Sequence, residues 1–227
     1  MSREIVKVEN LSFGYEKRLI LDNINFKIER KDYIGIIGHN GSAKSTLLKL
    51  LMGFLKPNTG SIEIFGTSID KFEEWNKIGY LPQNARNFNT RFPATVEEVV
   101  GSSLYSKMNI FKTLNKKIKM EVLEALKAVN MVEFKDSLIG NLSGGQQQRV
   151  FLARLIINSP EIIFMDEPLI GVDAESQNIF FELIDKFNKE LGVTVVMVTH
   201  DTNPLHNRAN KIFRLDGGKI TIYNSNN

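Results

Sequence analysis

The 227-residue chain has no cysteine, which excludes disulfide staples and thiolate chemistry. It also has no long apolar run: no stretch reaches the roughly 18 residues that a membrane span needs. The opening MSREIVKVEN carries no apolar stretch behind its basic residue, so a secretory signal is not expected either. A strong charge of one sign is missing too. Lys and Arg number 29 against 26 Asp and Glu, a net +3, which could host a nucleic-acid surface but does not require one. The three histidines are scattered and unpaired in spacing, so no transition-metal site is expected in this chain. What is present suffices for a sizeable core: 42% of residues are hydrophobic, enough for one domain or a domain with a subdomain. A soluble, cytoplasmic chain is the expectation.

Short β-rich runs come first. EIVKVE (Glu4 to Glu9) and NINFKIE (Asn23 to Glu29) alternate apolar and polar residues like half-exposed antiparallel strands, and YIGIIG reads as one buried strand. After Lys44, STLLKLLMGFL has helical apolar spacing and stops at Pro57 and Gly60. From Ala85 to Gly140 the pattern turns to helices and loops, opened by Phe88, Phe92 and Pro93, with a helix at Lys116 to Val129 whose NKKIKM start forms its polar face. Buried strands return at EIIFMD and VTVVMVTH, each after a helical stretch, as in a parallel sheet covered on both faces. RLDGGKITIY reads as a hairpin turning at Gly217 and Gly218, and only the final NSNN looks disordered.

Strand, loop and helix meet at IIGHNGSAKSTLLKLL. Gly38, Asn40 and Gly41 would let backbone approach a polyphosphate, with amides and helix start supplying positive potential. Lys44 would reach the outer phosphates, the Ser45 hydroxyl would bind Mg2+, and Thr46 adds a phosphate contact. Taken alone, the segment could also be a Gly-rich turn into a helix, because Ala43 stands where the pattern wants glycine. IIFMDEP then places Asp166 and Glu167 at the end of a buried strand, where α/β sheets bind ligands. Asp166 could hold Mg2+ and Glu167 could take a proton from an attacking water, or the pair could be a solvated strand end.

LSGGQQQRV, Leu142 to Val150, carries the resemblance: the chain resembles the ATP-binding subunit of ABC transporters, whose signature is LSGGQ. That family implies an α/β fold: a P-loop NTPase core of ABC ATPase type, with an N-terminal antiparallel β subdomain and an inserted helical subdomain. On this chain they map to one domain, with core residues 1–84 and 141–227 and helical residues 85–140. It implies ATP and Mg2+ as cofactors, bound by a loop that includes His39, Ser42 and Ala43 beside the residues named above. Ser143, Gly144, Gly145 and Gln146 open a helix whose unpaired amides can receive an anion. In the family that anion is the γ-phosphate held by the opposite subunit, so two copies close head to tail around two ATPs. Tyr15 resembles the aromatic that stacks on adenine, Gln83 the glutamine that touches Mg2+ and the attacking water, and Asp173 the loop communicating between subunits. His200 resembles the histidine that hydrogen-bonds the γ-phosphate. On its own, Tyr15 reads as an ordinary strand aromatic and His200 as a packing or surface residue.

A Phe-Pro-x-Thr-Val-x-Glu-Val-Val segment and EPLIGVD are similar to those of zinc and manganese uptake ATPases. The resemblance therefore implies integral membrane permease subunits, an extracytoplasmic solute-binding protein as an indirect partner, and a position at the inner face of the membrane. Phe88 and Phe92 would line the permease groove or the subdomain core. No nucleic-acid partner is expected. A soluble ABC ATPase, or a nucleotide-binding module without turnover, is the other class. Ala43 bears on that choice: a helical φ there makes its methyl nearly harmless, whereas φ > 0 strains the loop by about 1–3 kcal/mol. The helical case is the expectation, since Glu167, Gln83, Ser143 and His200 would have little reason to coexist around a dead site.

Overall fold

The computed structural model describes residues 3–16, 18–83, 93–107 and 115–224. Phe88 and Phe92 lie outside them, as do the last three residues of the terminal NSNN.

The first two strands are longer than their alternation suggests. β1 (Glu4–Tyr15) and β2 (Arg18–Glu29) pair antiparallel along their whole length, with register shifts that absorb irregular residues. Asn10 and Asn23, which border the alternating runs, adopt left-handed backbone at φ 50° and 51°. Asparagine tolerates that conformation, so the strands kink and continue. β4 (Thr59–Ile64) and β5 (Thr67–Ser68) complete a four-stranded sheet in the order β2-β1-β4-β5.

The second sheet has six strands. β3 (Tyr33–Ile37), β6 (Ile78–Leu81), β7 (Ile162–Asp166), β8 (Thr194–Val198), β9 (Lys211–Asp216) and β10 (Lys219–Asn224) are ordered β10-β9-β3-β8-β7-β6. All neighbours are parallel except the terminal β9–β10 hairpin. β7 and β8 are buried at every position, as strands covered on both faces must be.

Helix α1 (Lys44–Leu51) stops earlier than the apolar spacing of STLLKLLMGFL implies. Gly53 takes φ +69° and the amide of Phe54 bonds back to the Lys49 carbonyl, a glycine-terminated end that needs no proline. α2 (Val96–Gly101) begins with a capping box between Thr95 and Glu98, and α3 (Lys116–Ala128) is capped by Asn115. α4 (Gly144–Ile156) and α5 (Ala174–Lys189) follow. Two apolar clusters meet on opposite sides of the six-stranded sheet. One joins α2, α3, α4 and α5 to the sheet through residues such as Val100, Leu126, Leu152, Met165 and Phe187. The other joins the four-stranded sheet and α1 to its opposite face through Leu11, Ile28, Leu48, Phe164 and Phe213. No helix among the described residues is long and apolar enough to cross a membrane.

Candidate functional site

β3 and β7 flank β8 and run parallel to it, so their C-terminal ends open onto the same sheet edge. There the loop after β3 wraps the first turn of α1, whose leading amides have no partner within the helix and carry positive potential. An open cleft of about 790 Å³ covers it, lined by residues 40–46, by Tyr15 and Arg18 from the four-stranded sheet, by Gln83 after β6 and by Glu167 after β7. Ten of the residues singled out in the sequence thus share one cavity.

Lys44 is buried, and its ammonium donates to the carbonyls of Gly38 (2.8 Å) and His39 (3.1 Å). Ser45 Oγ donates to Asp166 Oδ1 at 3.1 Å. The Asp166 carboxyl is buried and lies above the usual carboxylate range, first because it is desolvated, then because Glu167 adds a like charge, against the opposing pull of the Ser45 hydroxyl, Lys44 and Lys49. A carboxylate so placed is short of positive charge, which is the environment a divalent cation relieves. Glu167 is 9% exposed, has φ 48°, and its Oε2 lies 2.8 Å from His200 Nδ1. Its amide donates to the Val198 carbonyl.

Two of the predicted loop residues face elsewhere. Gly38 and His39 border a neighbouring depression with His200, Arg214 and Asp216. The His39 ring sits between the Asn40 carbonyl (2.9 Å) and the Asp216 carboxylate (3.3 Å), so it contributes its backbone to the Lys44 cradle and not its ring to the cleft. Tyr15 is half exposed at the cleft mouth and packs edge-on against Phe13 at 5.0 Å.

Ser143 to Gln146 and Asp173 do not line this cleft. Ser143 caps α4 in a reciprocal box, its hydroxyl accepting from the Gln146 amide and the Gln146 side chain accepting from the Ser143 amide. Asp173 caps α5 through the Ser176 amide at 2.9 Å, and that bond holds its carboxyl below the usual range.

The sequence pattern of the ABC transporter family matches residues 21–170. The chain belongs to that family. The zinc uptake system ATP-binding protein ZurA of Listeria monocytogenes is 44% identical over 214 residues, 94% of this chain and 83% of that one. The manganese transport system ATP-binding protein MntB of Halalkalibacterium halodurans is 37% identical over 213 residues, 93% and 83% of the two chains. Among solved structures, a bacterial ABC transporter cassette determined as a dimer is similar at a TM-score of 0.82 and 29% identity, over 98% of this chain and 100% of that one.

One expectation for this ABC cassette is overturned. Ala43 does not take a helical φ: at φ 72° and ψ 20° it is the left-handed N-cap of α1, with no side-chain cap bond. A non-glycine residue in that region costs roughly 1–2 kcal/mol. The coexistence of Glu167, Gln83, Ser143 and His200, on which the helical expectation stands, does not constrain this backbone: the tight return of the loop puts a positive φ at both Gly41 (81°) and Ala43.

Several contributors escaped the sequence reading. Arg18 lines the cleft, and its only signal was a basic residue three positions after Tyr15. Ser176 explains Gly145: a Cβ there would lie 2.1 Å from Ser176 Oγ, so close packing of α4 on α5 requires the glycine. Nothing within QQQR singles out Gln148, which is buried.

Proposed function

We propose that this chain is the ATP-hydrolysing subunit of an importer for a divalent transition metal, zinc or manganese. One observation carries the hydrolytic part: Lys44, the Ser45–Asp166 pair and the Glu167–His200 pair converge at a single sheet edge. The cargo is supported by the named functions of the zinc and manganese relatives.

In this reading Lys44 and the α1 amides bind the outer phosphates, and Tyr15 stacks on the base. Ser45, Asp166 and Gln83 would hold Mg2+, which when bound offsets phosphate charge. Glu167 takes a proton from water as the water oxygen attacks the γ-phosphorus; the bond from that phosphorus to the bridging oxygen breaks, and ADP leaves. His200, bonded to the Glu167 carboxylate, orients it. Ser143 to Gln146 and Asp173 serve the cleft of a second copy, a reading supported by their absence from the lining of this chain's own cleft and by the dimeric cassette. Closure and reopening of the two copies drive the permease between its two access states. The helical subdomain, which among the described residues includes α2 and α3, receives the permease at the cytoplasmic face. The hollow of about 380 Å³ bordered by Trp75, Tyr80, Ser103 and Arg154 suits that contact.

Metal accumulation in cells lacking the chain tests this directly. Uptake of zinc or manganese should fall and return with the wild-type chain but not with Glu167→Gln; unchanged uptake of both metals refutes the cargo. The strained Ala43 favours a second reading, a nucleotide-binding module without turnover. Phosphate release by the purified chain separates the two.

A further inference from the structure

The three consecutive glutamines of α4 do three different things. Gln146 closes the cap of its own helix, Gln147 donates to the carbonyls of Ile139 and Leu142 (both 3.2 Å), and Gln148 reaches outward, its Nε2 donating to the Pro168 carbonyl at 2.6 Å. Gln148 is 2% exposed and Pro168 is buried. A buried amide must find a partner, and the Pro168 carbonyl could not turn to water without moving the loop that carries it.

That loop begins with Glu167. Its left-handed backbone is disfavoured for glutamate, and a following proline restricts it further. Such a conformation persists only where its surroundings over-determine it. Glu167 is tied on the sheet side by its amide to Val198 and through its carboxylate to His200, while the helix side is tied through Pro168 to Gln148. From these ties we infer that Gln148 is a positioning residue for Glu167, acting through the Pro168 backbone, and that the helix bearing Ser143 at its tip thereby braces the base of the chain's own cleft. The inference rests on the ATPase reading.

The test compares MgATP turnover and nucleotide affinity in the purified full-length wild type and in Gln148→Met, which keeps the side-chain length without the amide. Misplacing a catalytic group by about 1 Å costs up to roughly 100-fold. The expected result is a fall in kcat of about 10- to 100-fold with the Kd for MgATP unchanged within about twofold. Gln148→Asn keeps an amide one methylene too short, so it should lose less, and it decides the matter on the same criterion if the methionine variant does not fold. A kcat within about twofold of wild type overturns the inference, as does a parallel loss of turnover and bound nucleotide, the mark of a merely structural role. A wild type that binds nucleotide yet releases no phosphate overturns the ATPase reading, and this inference with it.

Discussion

Two turns at the same edge of the parallel sheet place a non-glycine residue in left-handed backbone. Ala43 follows β3 at φ 72°, and Glu167 follows β7 at φ 48°. Each bears a local cost of roughly 1–2 kcal/mol. At Glu167 that cost places a carboxylate at the cleft, held by His200 and backed by Val198 and Gln148 through Pro168. At Ala43 the side chain is a methyl with no cap bond, packed against the neighbouring apolar cluster. Backbone strain alone therefore does not mark a functional group: the chemistry of the strained side chain decides whether the conformation serves a reaction.

The sharpest way to break this comparison is to alter Glu167 while keeping its geometry. Glu167→Gln preserves shape and removes the base, so turnover should fall by about 10²- to 10⁴-fold, while MgATP binding persists, measured by phosphate release and equilibrium binding. Turnover within tenfold of wild type would deprive the strained glutamate of its purpose and make the two turns equivalent.

The two turns also show what a sequence reveals. The glycine-rich loop into α1, the Asp166–Glu167 pair and the LSGGQ segment were legible because each is contiguous and its reading depends on residue type. The buried strands were legible because continuous apolar runs admit few other readings. What stayed hidden depends on conformation or on contacts between distant segments: the φ of Ala43, the bulges at Asn10 and Asn23, the packing of Gly145 against Ser176, and the turn of the His39 ring toward Asp216. Gln148 belongs to the same class, since nothing within QQQR tells which amide reaches Pro168.

Asp166 separates burial from strain, because it sits beside Glu167 within a regular strand. Its carboxyl is raised in the folded chain, chiefly by desolvation. Its contribution therefore favours the fold fully below the unfolded value of about 3.9 and is lost as pH rises through the raised folded value. Neutral pH is thus less favourable to the fold at this carboxyl than pH below the unfolded value. Asp166→Asn should therefore raise the melting temperature by about 1–4 °C at pH 7, with a smaller gain below pH 4, while magnesium-dependent turnover falls by about tenfold or more. A variant that melts lower at pH 7 would show that the carboxylate is satisfied as it stands.

The smallest effect belongs to Ala43→Gly, and its sign turns on two opposing magnitudes. Removing the methyl relieves about 1–2 kcal/mol of left-handed strain, whereas glycine loses about 0.4–1 kcal/mol through the greater freedom of the unfolded chain. Mid-range relief exceeds mid-range loss, so the variant should be more stable by about 0.8 kcal/mol, a rise of roughly 2–3 °C in melting temperature. Thermal denaturation of the pair measures it. Glu167→Gly should gain by the same route if its side-chain contacts contribute little, yet lose turnover, whereas Ala43→Gly should keep or improve turnover because the methyl performs no step. A lower melting temperature for Ala43→Gly would mean that packing of the methyl outweighs the strain, giving the alanine turn a structural purpose of its own.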